Sequence, residues 1–228
     1  MAASCAAHAA ELRVLVETST ELPMAEIREN VLVGGLHRDI GAAIAQQLGR
    51  QAQFELLPRK RIVGALERGE GDIACNFRPA WLPGDFDWTV PFLPNTLLLV
   101  SDARAIRPES IAAMRGVPIG TVLGFSYPEV TQELGVEFVR NDAPNLGSNL
   151  RKLAKGHVQY ALVGKVFLEY QRRIGAFNMP LHQPLAVLKF EAQCAVARHG
   201  RVGVDEVNKA IVSLKSSGRI EALYKTYR

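Results

Sequence analysis

The sequence predicts an α/β fold in which two similar lobes each hold a mainly parallel sheet flanked by helices. Short apolar runs typical of buried strands alternate with stretches in which apolar residues recur at helical spacing. This alternation occurs twice, before and after a loop rich in Pro, Gly and Trp at 78–94. The two halves have no flexible Gly/Ser linker between them, which indicates lobes joined by strands.

The first half of the chain has the order strand, helix, strand, helix, strand. The run 12–16 is apolar and is followed by a polar stretch, 17–23, that ends in proline, so we predict a buried strand and then a loop. Helices are predicted where helical spacing ends at a glycine, and strands where a short apolar or alternating run ends at a turn. The remaining predictions are a turn at 34–35, a helix at 40–48, a strand at 53–57, a helix at 62–66 and a strand at 72–75.

The second half repeats this pattern and begins with the continuous apolar strand 96–100. A proline opens the predicted helix 128–134, as is common at the first position of a helix. The other predicted elements are a helix at 108–114, strands at 117–122 and 137–139, a helix at 146–154, a strand at 159–163, a helix at 166–174, a strand at 190–197, and helices at 204–216 and 219–227.

The composition is that of a packed globular protein, with 48% hydrophobic and 22% charged residues among 228. The net charge is +4, but Lys and Arg are spread along the chain. Their densest run is Arg59-Lys60-Arg61, which we interpret as solvated surface. The sequence lacks the basic stripe with interleaved aromatic residues that single-strand binders use, so no nucleic-acid partner is expected.

Cysteine and histidine give no sign of a metal or another cofactor. Cys5, Cys75 and Cys194 form neither a disulfide framework nor a zinc motif, and they allow at most one internal disulfide. Cys75 and Cys194 lie on apolar strand-like stretches, where a buried thiol is the default interpretation. The five histidines are scattered without ligand spacing. The chain also lacks Gly-x-Ser-x-Gly, a phosphate loop and His-Glu-x-x-His, so no catalytic residue is predicted.

The N-terminus is consistent with export. Ala7-His8-Ala9 fits the small-x-small pattern of a secretory cleavage site, although no long apolar region precedes it. Residues 1–10 are therefore expected to be a disordered tail or the remnant of a signal peptide. The apolar run around 96–100 is far shorter than the roughly 20 residues that a membrane span needs.

Several short segments match one family pattern in order and spacing. They include Arg61-x-x-x-Ala65-Leu66-x-x-Gly69-x-x-Asp72 and Phe86-Asp-Trp-Thr-Val-Pro91-Phe92, together with 12–14, 35–40, 120–124, 153–158 and 214–227. In these segments the chain resembles the extracellular solute-binding proteins of family 3, the amino-acid-type receptors of bacterial ABC importers. The resemblance covers nearly the whole chain, from residue 12 to residue 228.

The resemblance implies a two-lobed, type II periplasmic-binding-protein-like fold. Lobe 1 would hold residues 11–97 plus 193–228, and lobe 2 residues 98–192, with two strands crossing between them. It also implies a monomeric periplasmic protein that captures a small molecule by hinge closure and works with a membrane ABC permease. Such a protein is a binding protein and not an enzyme.

Ligands in such folds lie at the carboxyl ends of the strands, in the crevice between the lobes. Segments that follow predicted strands are therefore expected to face the cleft. The candidate ligand-binding residues are Glu17, Glu21, Asn76, Phe77, Arg78, Trp81, Gly124, Phe125, Ser126, Tyr127 and Lys165.

The chain departs from the family pattern at two positions that would hold an amino acid. The family's Thr-x-x-Arg, which grips the ligand carboxylate, aligns with Pro79-Ala-Trp-Leu82, so the nearby Arg78 would have to substitute. The family's second-lobe Asp, which receives the ligand ammonium, aligns with Gly164, followed by Lys165. We therefore expect a small polar or acidic ligand, either amino-acid-like or a carboxylate.

Two alternative functions stay open at this point. A few relatives on this scaffold are dehydratases acting on prephenate-like acids, and the acid–base candidates here would be Lys165, Glu17 and Glu21. The second alternative is a ligand-sensing domain detached from a membrane kinase.

Overall fold

The computed structural model describes residues 10–227. Within them the chain forms a nine-stranded sheet, a separate two-stranded ribbon and seven α-helices. The cleavage-site pattern, Cys5 and nearly all of the predicted N-terminal tail lie outside the described residues.

The strands are β1 (Glu11–Glu17), β2 (Glu26–Arg28), β3 (Val31–Gly34), β4 (Gln51–Leu57), β5 (Ile73–Phe77), β6 (Asp87–Trp88), β7 (Leu93–Ser101), β8 (Ile119–Val122), β9 (Arg140–Ala143), β10 (Tyr160–Gly164) and β11 (Leu185–Val196). The helices are α1 (Leu36–Gln47), α2 (Arg59–Glu67), α3 (Pro128–Leu134), α4 (Leu146–Ala154), α5 (Lys165–Arg173), α6 (Val204–Ser216) and α7 (Arg219–Thr226).

The sheet has two parallel halves joined by two long strands. Its order is β4-β1-β5-β11-β7-β10-β8-β9, with β6 pairing separately on β11. Strands β4, β1 and β5 are parallel in the first half, and β10, β8 and β9 are parallel in the second. Strand β11 pairs with β7 through its first residues and with β5 through its last, both antiparallel. The predicted two-lobed α/β architecture is therefore confirmed, with β7 and β11 as the crossing strands.

Each half of the sheet packs helices on both faces. In the first half, α1, α6 and α7 cover one face and α2 covers the other. In the second half, α4 and α5 cover one face and α3 the other. Buried leucines and isoleucines dominate these contacts, and each contributes about 1.5–3 kcal/mol when its side chain leaves water. Four apolar clusters thus hold the strand ends in fixed positions.

A buried carboxylate fixes the two strands that lead to the site. Asp72, which is fully buried, accepts hydrogen bonds from the backbone and guanidinium of Arg13 on β1 and from the backbone of Arg201. Burial by itself raises the pKa of Asp72, but the hydrogen bonds from Arg13 and Arg201 lower it below its usual value overall. The carboxylate therefore stays charged and ties β1 to the start of β5.

Two predictions of local structure are wrong, and one element was missed. The predicted helix 108–114 is a single 3₁₀ turn, Ala112–Met114. The predicted strand 137–139 begins only at Arg140, after a 3₁₀ turn at Gly135–Glu137. The hairpin of β2 and β3 was not predicted, because its turn residues, Glu29 and Asn30, adopt positive φ without the usual glycine.

The two described cysteines form a disulfide, so the default interpretation as buried thiols is wrong. Cys75 on β5 and Cys194 on β11 are directly opposite in the antiparallel register. The sequence does not reveal this pairing, because the two residues are 119 positions apart. The bond attaches a crossing strand to the first half of the sheet.

Candidate functional site

A cavity of about 130 Å³ lies between the two halves of the sheet. Residues at the carboxyl ends of β1 and β5 line one side, and residues at the ends of β8 and β10 line the other. The crossing strands contribute Asn95, Leu97 and Phe190. The space holds several water molecules or a small organic molecule. It also lies where ligands bind in open α/β sheets, outside the carboxyl ends of the strands.

Most of the predicted site residues line this cavity. Those that do are Glu17, Glu21, Asn76, Phe77, Trp81, Phe125, Ser126 and Tyr127. Arg78, Gly124 and Lys165 lie outside the cavity wall. The ammonium of Lys165 is instead 3.7 Å from Glu169, one turn further along α5, and both side chains are half-buried. Of the predicted cations, therefore, neither Arg78 nor Lys165 faces the cavity.

The cation in the cavity wall is Arg59, the first residue of α2. Its side chain is 14% exposed, so the interpretation of this residue as surface charge is wrong. Pro58 ends β4 just before it, which places Arg59 at the carboxyl end of a strand. Its Nη1 donates to Glu17 Oε2 over 3.0 Å and its Nη2 to the carbonyl oxygen of Trp81 over 3.3 Å. Glu17 also accepts a hydrogen bond from Ser19.

The guanidinium of Arg59 also lies against two aromatic rings. Its carbon is 5.2 Å from the ring centre of Phe77 and 4.5 Å from that of Phe125. Both distances are within the range of a cation–π interaction. Phe77 ends β5 in the first half of the sheet, whereas Phe125 follows β8 in the second. Arg59 therefore connects the two sides of the cleft.

Arg78 forms an ion pair across the rim of the cleft. Its Nη1 is 2.5 Å from Oε1 of Glu129, in the first turn of α3. Its guanidinium also lies over the rings of Trp81 and Phe190, which pack edge to face with centres 4.7 Å apart. Arg78 thus holds the two sides together and positions Trp81, but it is already paired with a carboxylate.

Glu21 makes a further contact across the cleft. Its Oε2 accepts a hydrogen bond of 2.8 Å from the backbone N–H of Gly147, in the first turn of α4. The N-terminus of a helix favours a negative charge, so this contact is electrostatically favourable. Both acidic residues predicted for the site are therefore engaged within the chain.

Neutral polar groups complete the wall. His37, in the first turn of α1, has a buried Nε2 with no hydrogen-bond partner within residues 10–227. Burial lowers the pKa of His37 to about 4, so its imidazole is neutral near pH 7. Asn76 has φ of 69°, a left-handed conformation that asparagine tolerates better than most residues. Strand β11, which pairs with the strand of Asn76, has a register shift between Gln193 and Cys194.

The loop after β8, in the second half of the sheet, gives the cavity wall structural support more than charged groups. Tyr127 is buried, and its hydroxyl accepts a hydrogen bond from the backbone N–H of Val122. Burial raises the pKa of Tyr127 to about 12, so the phenol stays protonated. Pro128 occupies the first position of α3 and has no N–H, so this helix start offers one donor fewer to an anion. Ser126 remains an exposed hydroxyl at the cavity wall.

Sequence reasoning missed many residues of the wall, among them Arg59, His37, Asn95 and Phe190. Arg59 had a usable signal, because it directly follows the predicted strand that Pro58 ends. Asn95 and Phe190 lie on the crossing strands, whose course along the cleft follows from the pairing of distant segments. His37 precedes its predicted helix, which begins earlier in the structure, at Leu36.

Residues 10–227 contain no cluster of three or more His, Cys, Asp or Glu placed to hold a metal ion. Among the helices that they form, none combines the length and apolar character needed to cross a bilayer.

Several solved structures share this fold. An ancestral arginine-binding protein bound to arginine has a TM-score of 0.75 at 20% identity, over 96% of this chain and 99% of that one. The substrate-binding protein of an amino acid ABC transporter has a TM-score of 0.72 at 17% identity, over 95% and 98%. The ancestral amino acid-binding protein AncCDT-1, a precursor of cyclohexadienyl dehydratase, has a TM-score of 0.75 at 16% identity, over 95% of both chains.

At these identities the structural likeness shows the fold, which is that of type II periplasmic binding proteins. Among curated protein sequences, none matches this chain. The model of one protein family matches residues 12–228, nearly the full length. The chain therefore belongs to the bacterial extracellular solute-binding proteins, family 3.

Proposed function

We propose that this protein is the periplasmic substrate-binding protein of an ABC importer. In this proposal it captures a small polar or acidic ligand, amino-acid-like or a carboxylate, and closes on it by a hinge motion. The observation that carries the proposal is the cavity at the carboxyl ends of both sets of parallel strands, lined from both sides of the cleft. A ligand that contacts both sides stabilises the closed arrangement relative to the open one.

The proposed lobes are residues 11–97 plus 193–228 and residues 98–192. The first contains the parallel strands β4, β1 and β5, and the second contains β10, β8 and β9. The hinge is formed by β7 and β11, which run from one set to the other. In this arrangement the contacts of Arg59, Arg78 and Glu21 across the cleft form on closure.

The ligand class follows from the polar groups of the wall. The guanidinium of Arg59 has five N–H donors, and bonds to Glu17 and Trp81 account for two of them. A ligand carboxylate can accept from the others with a charge-assisted hydrogen bond. The neutral His37, Asn76 and Ser126 supply hydrogen bonds to uncharged polar groups, and the aromatic rings supply apolar contact area.

Periplasmic localisation has two supports. The family is extracellular, and the Cys75–Cys194 disulfide is typical of oxidising compartments such as the bacterial periplasm. We propose that the protein acts there as a monomer and delivers its ligand to a membrane permease.

We further propose that the chain is not an enzyme. A general base must be within hydrogen-bond reach of the proton it removes. Glu17 is paired with Arg59, Glu21 accepts from Gly147, and Lys165 lies outside the cavity wall beside Glu169. These three residues were the acid–base candidates. None of them is left unengaged to serve a dehydratase-type reaction.

The test is thermal unfolding of the protein in the presence of amino acids, dicarboxylates, aromatic acids and polyamines. A ligand at a hundred times its Kd adds about 2.7 kcal/mol of stability, which shifts the unfolding midpoint by several degrees. We expect such a shift with acids or with neutral polar compounds.

The matched variants are Trp81→Ala and Trp88→Ala. Trp81 lines the cavity, whereas Trp88 packs on Phe86 outside it. Trp81→Ala should abolish the shift and Trp88→Ala should retain it. A shift that survives Trp81→Ala unchanged, or no shift with any compound, would contradict the proposal.

A further inference from the structure

The surroundings of Arg59 form a complete binding site for a cation. Glu17 supplies a buried carboxylate, 7% exposed, and Trp81 supplies a carbonyl oxygen. Phe77 and Phe125 present their rings to the guanidinium from the first and second halves of the sheet. We call these four residues the cation cage.

Each wall of the cation cage attracts positive charge. A carboxylate shielded from water interacts strongly with a cation, and aromatic faces carry negative charge density. A carbonyl oxygen accepts a hydrogen bond from any N–H donor. A guanidinium matches this set well, because it is planar, donates in several directions and stacks on rings.

In this protein the cage is occupied by a side chain of the same chain. Arg59 reaches it from the first turn of α2, and its guanidinium contacts all four walls. A ligand with a guanidinium or ammonium group would have to displace Arg59 and leave a second positive charge in the cavity. A ligand with an acidic group would instead meet the remaining donors of Arg59.

We propose that Arg59 fills a cation subsite of the cleft with its own guanidinium and so makes the cleft reject cationic ligands. The inference rests on the proposed function and specifies it, because it identifies Arg59 as the residue that sets the charge of the ligand. Removing the side chain converts the subsite into one that accepts guanidinium compounds.

The experiment is chemical rescue of Arg59→Ala. The unfolding midpoint of this variant is measured against methylguanidinium chloride, with methylurea as the uncharged analogue and sodium chloride at equal ionic strength. We expect a saturable rise of about 3–6 °C when methylguanidinium reaches roughly ten times its Kd in the variant. Methylurea and sodium chloride should give no such rise.

Three further proteins serve as controls. The wild type should show no saturable rise, because its cage is filled. Arg61→Ala removes an exposed arginine of the same helix and should behave as the wild type. Glu17→Gln/Arg59→Ala lacks the cage carboxylate and should lose the rescue by at least tenfold in Kd. Rescue of equal size in the wild type, or in the double variant, would overturn the proposal.

A second measurement does not depend on the folding of Arg59→Ala. In the wild type, the NMR signal of the Arg59 side chain should carry a ring-current shift from Phe77 and Phe125, and Phe125→Ala should reduce it. A signal at the position of a solvated arginine would overturn the proposal.

The two proposals can fail separately. If the wild type binds an acid and folded Arg59→Ala gains no guanidinium affinity, the cation subsite is wrong and ligand capture stands. If rescue succeeds and the wild type binds none of the compounds in the panel, the subsite stands and the proposed ligand class is wrong.

Discussion

The role of each charged residue in the cleft depends on the residue with which it pairs. Arg59 and Lys165 each follow a predicted strand after one intervening residue, but the basic run around Arg59 led to its interpretation as surface charge. The structure places Arg59 against Glu17 in the cavity wall and Lys165 beside Glu169 on α5, outside that wall. The sequence located the site segments, because strand ends are local features. It did not show which charged residues face the cavity, because ion pairs between residues distant in the sequence are not local features.

His37 gives a pH-dependent prediction at the same scale. Burial depresses the pKa of His37 from 6.5 to about 4, so the folded protein binds this proton less readily than the unfolded chain. The contribution of the neutral imidazole to stability is complete above pH 6.5 and is lost as the pH falls toward 4. We expect a loss of about 2–3 kcal/mol over this interval.

Urea unfolding between pH 7.5 and pH 4 measures this effect. His37→Gln should show a smaller decline than the wild type, since the amide does not titrate. His199→Gln, which changes an exposed histidine, should follow the wild type. Equal declines in the wild type and His37→Gln would show that His37 is not buried as a neutral group.

Whole elements were predicted well where their signal is periodic and local. Helices α3, α4 and α6 have the predicted bounds, because their apolar spacing and terminal residues are contained within each segment. Strand β9 was misplaced by several residues, because its position depends on pairing with β8. The hairpin of β2 and β3 was missed because its turn lacks a glycine, and the disulfide because it depends on the pairing of distant strands.

The disulfide gives a prediction for the crossing strand β11. It joins β11 to β5 and closes a loop of 119 residues, which restricts the unfolded chain. Reduction should therefore lower the free energy of unfolding by about 2–4 kcal/mol. Urea unfolding with and without reductant measures the loss. Cys75→Ala/Cys194→Ala should be insensitive to reductant, and an equal loss in that variant would assign the effect to something other than this bond.

At the scale of the whole molecule, the two sets of parallel strands meet at one cleft. Three kinds of contact cross it: the guanidinium of Arg59 on Phe125, the ion pair of Arg78 with Glu129, and the hydrogen bond from Gly147 to Glu21. Each of these contacts joins a charged group to a partner on the other side of the cleft. Much of the charge along the cleft is therefore compensated by other groups of the chain.

The central claim is that a small ligand binds in this cleft, and Trp81 reports on it directly. The protein has two tryptophans, so Trp88→Phe leaves the cavity residue Trp81 as the single indole. Its fluorescence is titrated with the compound that stabilises the protein most. A saturable change in Trp81 emission, with the same Kd as the stabilisation, is the predicted result. Full stabilisation with no change in Trp81 emission would place the ligand elsewhere and contradict the account.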